Sequence, residues 1–270
     1  MDSLLFNRGL AVEARKLMAL AVPIIAGQVG QMVLGLVDTI MIGRVGVVPL
    51  AAAAFAGTLI SVFLIFGFGL LASVSVLVAR SFGSDRNEDC GDYMRHGLAM
   101  ALVLSTASAV GLHLGAGMMG LFGQPPEVVA EGRSYFIIIS WSLIAAYLFQ
   151  VFRQFSESLS HAWVPMVIMS GGILLNVFLN WVLIYGNLGS PAFGLEGAGW
   201  ATLVARVGTG VVMMVVVLRS SRFAPTLPQR WWARLSLDRF QELVKIGFPI
   251  SLQHLSEMGA FAMATFMMGW

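Results

Sequence analysis

The apolar residues of this chain come in long, nearly unbroken stretches that short polar segments separate. The stretches do not alternate between apolar and polar positions, so they predict helices rather than barrel strands. Roughly 20 helical residues cross the hydrocarbon core of a bilayer. The pattern therefore predicts six complete membrane spans and a seventh that starts near residue 244. The six lie at residues 17–43, 50–79, 97–122, 134–152, 163–185 and 197–218.

Composition agrees with an integral membrane protein. The chain is 58% hydrophobic and only 11% charged, with a mean hydropathy of +0.84. Soluble domains carry about 25% charged residues. The first span is expected to be retained, since it is too long for a signal-peptide core and no cleavage-type ending follows it. The single cysteine, Cys90, excludes a disulfide within the chain.

The first span recurs, in weaker form, at the end of the sequence. A shift of 226 positions places Leu17 on Leu243, Pro23 on Pro249, Thr39 on Thr265 and Met41 on Met267. Asp38 falls on Ala264, but the second copy has its own acid, Glu257, where the first has Gln31. A kinked span with an acid that appears twice is typical of a transporter built from two repeats.

The distribution of Lys and Arg predicts the orientation. Thirteen of the sixteen lie in segments on the side of the N-terminus, and only Arg44 and Arg133 lie in loops on the other side. The positive-inside rule thus places the N-terminus and the long connector in the cytoplasm. Six spans separate the two copies, which predicts parallel repeats. We expect a six-helix lobe (1–218), a cytoplasmic linker (219–243) with Trp231 and Trp232 at the lipid headgroups, and a truncated first helix of a second lobe (244–270).

Two residues of the first span are candidates for function. Asp38 lies about 22 Å along the helix from Pro23, toward the outer end. It is either an interfacial residue near a loop or an ion or proton site, because a carboxylate inside a span is costly. Pro23 removes a backbone hydrogen bond, and its return as Pro249 favours a hinge role for both prolines.

Two amides lie on one face of the fifth span. Asn176 and Asn180 are four residues apart, so their side chains are neighbours on the helix. They act either as hydrogen-bonding contacts between helices or as oxygen ligands. With Asp38 and the hydroxyl of Thr202 they form a plausible set for a hard cation such as Na⁺; beyond this set the sequence predicts no metal site.

Other polar positions carry weaker predictions. Glu257 follows Gln253 and His254 on one helix, and this polar stripe favours a functional role. Arg206, within the sixth span, is interpreted as a structural or snorkelling charge. Glu157 is interpreted as the i,i+4 partner of Arg153.

Several patterns imitate known motifs. The run Gly67-Phe68-Gly69 resembles a dinucleotide fingerprint, but it lies mid-span without a preceding strand and indicates glycine packing. The four histidines lack metal-binding spacing. The sequence holds no HExxH, GxSxG or P-loop pattern.

Taken together, ordered segments along the whole chain resemble the multidrug and toxin extrusion (MATE) family, in its NorM-type bacterial branch. These segments read PIIAGQVGQMVLGLVDTIMIGRVG with LAAAAFAG after it, ARSFGSDRNEDCGDYMRHG, FGLEGAGWATLVAR and FPISLQHLSEMG. No single motif is specific, but their order and spacing are. The resemblance implies an all-α transporter of twelve spans in two six-helix lobes. Family members are monomeric proteins of the bacterial cytoplasmic membrane, without nucleic-acid partners.

The resemblance also implies a function. Family members export cationic amphiphilic compounds in exchange for Na⁺ or H⁺, with no other cofactor and no enzyme activity. Asp38 matches the acid of the first span, Pro23 its bending proline, and Glu257 the acid of the seventh span. Asn176 and Asn180 match the polar pair of the fifth span, with Thr202 nearby. Some relatives carry an aspartate at the position of Asn180, so the coupling ion stays open.

Three other functions are considered. A lipid-linked sugar flippase of the same superfamily would have a cavity lined by arginines, and the spans hold only Arg206. A membrane-embedded enzyme would need two catalytic acids or a metal cluster, for which Asp38 and Glu257 are the one candidate pair. A structural membrane scaffold would not need repeated kinks with acids.

Overall fold

The computed structural model describes residues 2–231 and 233–268, and gives side chains for these residues except 2–16, 262, 264–266 and 268. This part of the chain is helical, without strands. Its α-helices are α1 (Asp2–Gly43), α2 (Val47–Phe82), α3 (Asn87–Gly115), α4 (Pro126–Ser158), α5 (Trp163–Tyr185), α6 (Gly194–Arg219) and α7 (Leu237–Met268). Short 3₁₀ segments cover Ala116–Phe122, Asn187–Gly189 and Ala224–Thr226.

Within the described residues, six helices are long and apolar enough to cross a membrane, in agreement with the predicted spans. The fifth has the predicted bounds. The others continue past their apolar stretches, because polar residues at the ends of a span still form helical turns. The seventh helix begins at Leu237, so the last part of the predicted linker is helical and the connector is confined to residues 220–236. The division into lobes stays a prediction.

Helix α4 lies at the centre and packs against α2, α3 and α6, while α1 packs mainly against α5. The α2–α4 contact is close because Gly67 leaves room for the ring of Tyr147. The Tyr147 hydroxyl donates a hydrogen bond of 2.5 Å to the carbonyl oxygen of Phe63. This contact confirms that Gly67 serves helix packing.

Helix α7 crosses α2 at small residues. Gly69 faces the backbone of Ser251, and Gly247 faces the backbone of Leu70. The Ser251 hydroxyl donates to the carbonyl oxygen of Phe66 at 2.8 Å. Missing side chains on both helices permit this approach, as in other close crossings of membrane helices. Helix α7 is therefore packed closely on α2.

The connector between α6 and α7 is held against α3. Arg95 donates from Nη1 to the carbonyl oxygens of Arg230, at 3.2 Å, and Ala233, at 2.7 Å. His96 is buried, and its Nε2 accepts the backbone N–H of Ser236 at 2.9 Å. We call this set of contacts the connector clasp. It fixes the path of a segment that the sequence predicted only as a linker.

A second group of contacts holds the start of α7 beside the connector clasp. Tyr93 donates to a carboxylate oxygen of Glu242 at 2.6 Å. The guanidinium of Arg239 pairs with Asp89 and lies 4.4 Å from the centre of the Tyr93 ring. These charged and aromatic contacts fix the first turns of α7 on α3.

Large apolar side chains of α1 are exposed. Met32 is 75% and Leu36 is 60% exposed, as expected for surfaces that meet lipid or another helix. Trp231 is also exposed, and Trp232 lies outside the described residues. Their placement at the lipid headgroups stays a prediction.

Candidate functional site

A cavity of about 250 Å³ opens inside the helix bundle, between α1, α2, α4, α5 and α6. Its walls are mostly apolar, formed by residues such as Leu34, Leu64, Phe68, Phe149 and Ile173. Its polar lining consists of Gln31, Asp38, Asn176, Thr202, Arg206 and Thr209. A few polar groups in an apolar cleft are typical of small-ligand sites, whose volumes begin near 300 Å³.

Four predicted site residues form one hydrogen-bonded chain, which we call the polar quartet: Asp38, Asn176, Asn180 and Thr202. Asn180 donates from Nδ2 to Asp38 at 2.6 Å and to the side-chain oxygen of Asn176 at 3.0 Å. Asn176 in turn donates to the hydroxyl of Thr202 at 3.3 Å. Three helices thus bring together residues that are far apart in sequence.

The quartet contains an unusual buried atom. Asn176 and Asn180 are 2% and 0% exposed, and Asp38 is half-buried. Within the described residues, the side-chain oxygen of Asn180 is buried without a hydrogen-bond partner. An unsatisfied buried acceptor costs about 1–3 kcal/mol. Such an oxygen beside a carboxylate can accept a hydrogen bond or bind a cation.

Arg206 lines the same cavity. Its Nη1 donates to the hydroxyl of Ser142 at 2.7 Å, and Ser142 is fully buried. Arg206 and Asp38 therefore place opposite charges in the lining of one cavity. The bond to Ser142 agrees with the predicted structural charge. Its position in the cavity, beside the quartet, was not predicted.

The two predicted hinge prolines differ in environment. Pro23 is buried and Pro249 is exposed, and α1 and α7 each stay helical through their proline. Eight residues after Pro23, Gln31 donates to the sulfur of Met169 at 3.1 Å, which links α1 to α5. The hinge role of both prolines stays a prediction.

Glu257 does not join the quartet. It is exposed, and its carboxylate accepts a hydrogen bond from Gln253 at 3.1 Å. Glu257 is absent from the cavity lining within the described residues. Its predicted coupling role therefore rests on the sequence alone.

One minor prediction has a clear outcome. Arg153 and Glu157 form the predicted ion pair, with 2.7 Å between Nε and the carboxylate. Among the described residues, no group of three His, Cys, Asp or Glu side chains is placed to hold a metal ion.

Sequence reasoning missed part of the cavity lining, although the signal was present. Thr202, Arg206 and Thr209 are spaced by four and three residues, so they share one face of α6. Gln31 and Asp38 are seven apart and share a face of α1 in the same way. A search for polar positions with helical spacing finds both stripes. Ser142 carries no comparable signal, since its role depends on α6 packing against α4.

Known proteins are similar to this chain in sequence. The chain is 33% identical over 260 residues to a probable multidrug resistance protein NorM of Bradyrhizobium diazoefficiens, covering 96% of this chain and 56% of that protein. It is 31% identical over 256 residues to the multidrug resistance protein NorM of Photobacterium profundum, covering 94% of this chain and 56% of that protein. The chain spans about half the length of the curated relatives it matches.

The fold matches solved structures as well. One is an outward-facing multidrug resistance MATE family transporter of the MOP superfamily, with a TM-score of 0.82 at 23% identity. The match covers 91% of this chain and 54% of that one. The family model MatE matches residues 23–182, which is more than half of the sequence. The resemblance in sequence is therefore confirmed, and the chain belongs to the MatE family.

Proposed function

We propose that the protein is a secondary active antiporter, which exports cationic amphiphilic compounds in exchange for Na⁺ or H⁺ by alternating access. The observation that carries the proposal is the polar quartet, in which the half-buried carboxylate of Asp38 ends a chain of hydrogen-bonded polar side chains beside an apolar cavity. The names of the relatives, multidrug resistance proteins, support export over catalysis.

The mechanism is a competition for the charge of Asp38. When Asp38 is ionised, it attracts an organic cation into the cavity, while the apolar walls hold the rest of the compound. When a proton or Na⁺ neutralises Asp38, that attraction is lost and the compound leaves. The coupling ion drives this change only because it binds the two conformations with different affinity.

Asn180 stabilises the charged form of Asp38, which this exchange requires. Its hydrogen bond of 2.6 Å stabilises the ionised carboxylate. Its unpartnered oxygen provides a ligand for Na⁺ or an acceptor for a protonated carboxyl group. Re-bending of α1 at Pro23 would move Asp38 relative to α5, and Pro249 would serve in the same way in α7 together with Glu257.

The first test replaces the carboxylate. We expect Asp38→Asn to lower efflux of ethidium at least about tenfold, in cells that produce the protein at its native length, because the amide can neither ionise nor exchange a cation. Asp85→Asn is the matched control. Asp85 is exposed in the turn after α2 with a φ of 57°, where asparagine is well tolerated. Wild-type efflux from Asp38→Asn would overturn the proposal.

A sugar flippase is the second candidate, and the cavity gives it less support. Recognition of a pyrophosphate-linked sugar needs several cationic groups, and Arg206 is the single one in the described lining.

A further inference from the structure

The cavity proposed to receive cations already contains one. Arg206 of α6 lines it together with Asp38 of α1, so two opposite charges face the same cavity. A guanidinium stays protonated at any physiological pH. The polar end of the cavity therefore carries one fixed positive charge beside one exchangeable negative charge.

Arg206 is held in place from the side of α4. Its Nη1 donates to Ser142 at 2.7 Å, and the Ser142 hydroxyl donates to the carbonyl oxygen of Ile139 at 2.6 Å. Ser142 is fully buried, so this anchor is shielded from competing water. Because the guanidinium has five N–H donors in a rigid fork, one anchored nitrogen leaves others free to face the cavity.

A sodium ion and a proton make different demands on such a site. Sodium adds a full charge and needs several oxygen ligands around it. Here Asn180 turns its N–H₂ group toward Asp38, and Asn176 turns its own toward Thr202. The sides of the two amides that face Asp38 and Thr202 are therefore donors, which leaves the oxygen of Asn180 as the one amide oxygen of the quartet without a hydrogen bond, and Arg206 adds repulsion. A proton needs no ligand shell to neutralise Asp38.

We propose that Arg206 is the resident counter-cation of Asp38 and makes this site select protons over Na⁺. The inference rests on the proposed function, in which Asp38 is the coupling acid. The charged and titratable groups that act on Asp38 in the described chain are Arg206 from α6 and Tyr135 from α4. The neighbouring helices α5 and α2 contribute neutral amides and apolar side chains.

The test measures binding of Na⁺ rather than transport. Thermal unfolding of the purified protein at its native length is compared in NaCl and KCl at equal ionic strength. All variants carry Glu257→Gln, so that the acid of the seventh helix cannot contribute. We expect this background alone to unfold at the same temperature in both salts.

Removal of the resident charge should create a sodium site. With Arg206→Met added, Na⁺ at about 100 times its Kd should raise the Tm by about 2–3 °C relative to K⁺. Arg206→Lys is the matched control, because it keeps the charge and should show no difference between the salts. Addition of Asp38→Asn to Arg206→Met should abolish the sodium effect.

Two results would overturn the inference. One is stabilisation of the Glu257→Gln background by Na⁺ that disappears with Asp38→Asn. The other is equal unfolding of the Arg206→Met variant in both salts. If Arg206→Met does not fold, Arg206→Gln removes the charge while keeping a donor for Ser142, and the same two results apply. Wild-type ethidium efflux from Asp38→Asn would count against the antiport function, whereas these salt comparisons judge the selectivity of Arg206.

Discussion

Asn180 lies 2.6 Å from the carboxylate of Asp38, although 142 residues separate the two in sequence. The amide is fully buried and its own oxygen has no partner in the described structure. The short hydrogen bond to the candidate coupling acid therefore comes from a buried amide whose other hydrogen bond goes to Asn176. This contact links α5 to α1, so a change in the position of Asn180 also affects Asp38.

Substitution of Asn180 should break the hydrogen bonds that connect Asp38 with Asn176. Asn180→Leu keeps the volume but removes the donor to Asp38 and the link to Asn176. We expect at least a tenfold loss of ethidium efflux in cells, since the carboxylate loses its charge-stabilising hydrogen bond. Asn87→Leu, on the exposed first turn of α3, is the control and should leave efflux unchanged. Full efflux from Asn180→Leu would show that the contact has no role in coupling.

Much of this site was predictable because a polar side chain inside a membrane span has few possible hydrogen-bond partners. A carboxylate and two amides cannot be left unpaired in apolar spans, so Asp38, Asn176, Asn180 and Thr202 were expected to find one another. Their partners and directions were not predictable, since helical spacing gives the face of a helix but not the neighbour that covers it. For the same reason Arg206 was found on α6, but its place in the cavity was not.

The helix ends were likewise predictable from the sequence in some places and not in others. The fifth span was predicted to the residue because Gly186 stops α5 in a left-handed conformation, with a φ of 74°. The start of α7 was placed too late, since its first turns carry charges that pair with α3 rather than apolar residues. The connector clasp depends on contacts between segments about 140 residues apart, such as Ser236 with His96, which no local pattern indicates.

The crossing of α2 and α4 gives a stability prediction with a control in the same helix. A Cβ at Gly67 would collide with the ring of Tyr147, whereas a Cβ at Gly57 meets nothing within 4 Å. We expect Gly67→Ala to destabilise the protein by about 1–3 kcal/mol through overpacking. Gly57→Ala should be neutral or slightly stabilising. Thermal unfolding in detergent measures both, and equal Tm values for the two variants would contradict the packing described.

The connector clasp gives a prediction about accessibility. Arg95→Leu removes both hydrogen bonds to the backbone of Arg230 and Ala233. We expect residues 220–236 to become more sensitive to chymotrypsin, with cleavage at least about threefold faster, because local opening costs less free energy. Arg222→Leu, at an exposed position of the same connector, is the control. Unchanged cleavage of Arg95→Leu would mean that other contacts hold the connector.

The account as a whole depends on competition for Asp38. The most direct measurement is the binding of ethidium to the purified protein at its native length, titrated at high and at low pH and with or without Na⁺. We predict that the affinity of the wild type falls at least about tenfold when protons are added, and that Asp38→Asn binds ethidium weakly and to the same extent in every condition. An affinity of Asp38→Asn that falls as steeply as that of the wild type would contradict the account, because the competing ion would then act at another residue.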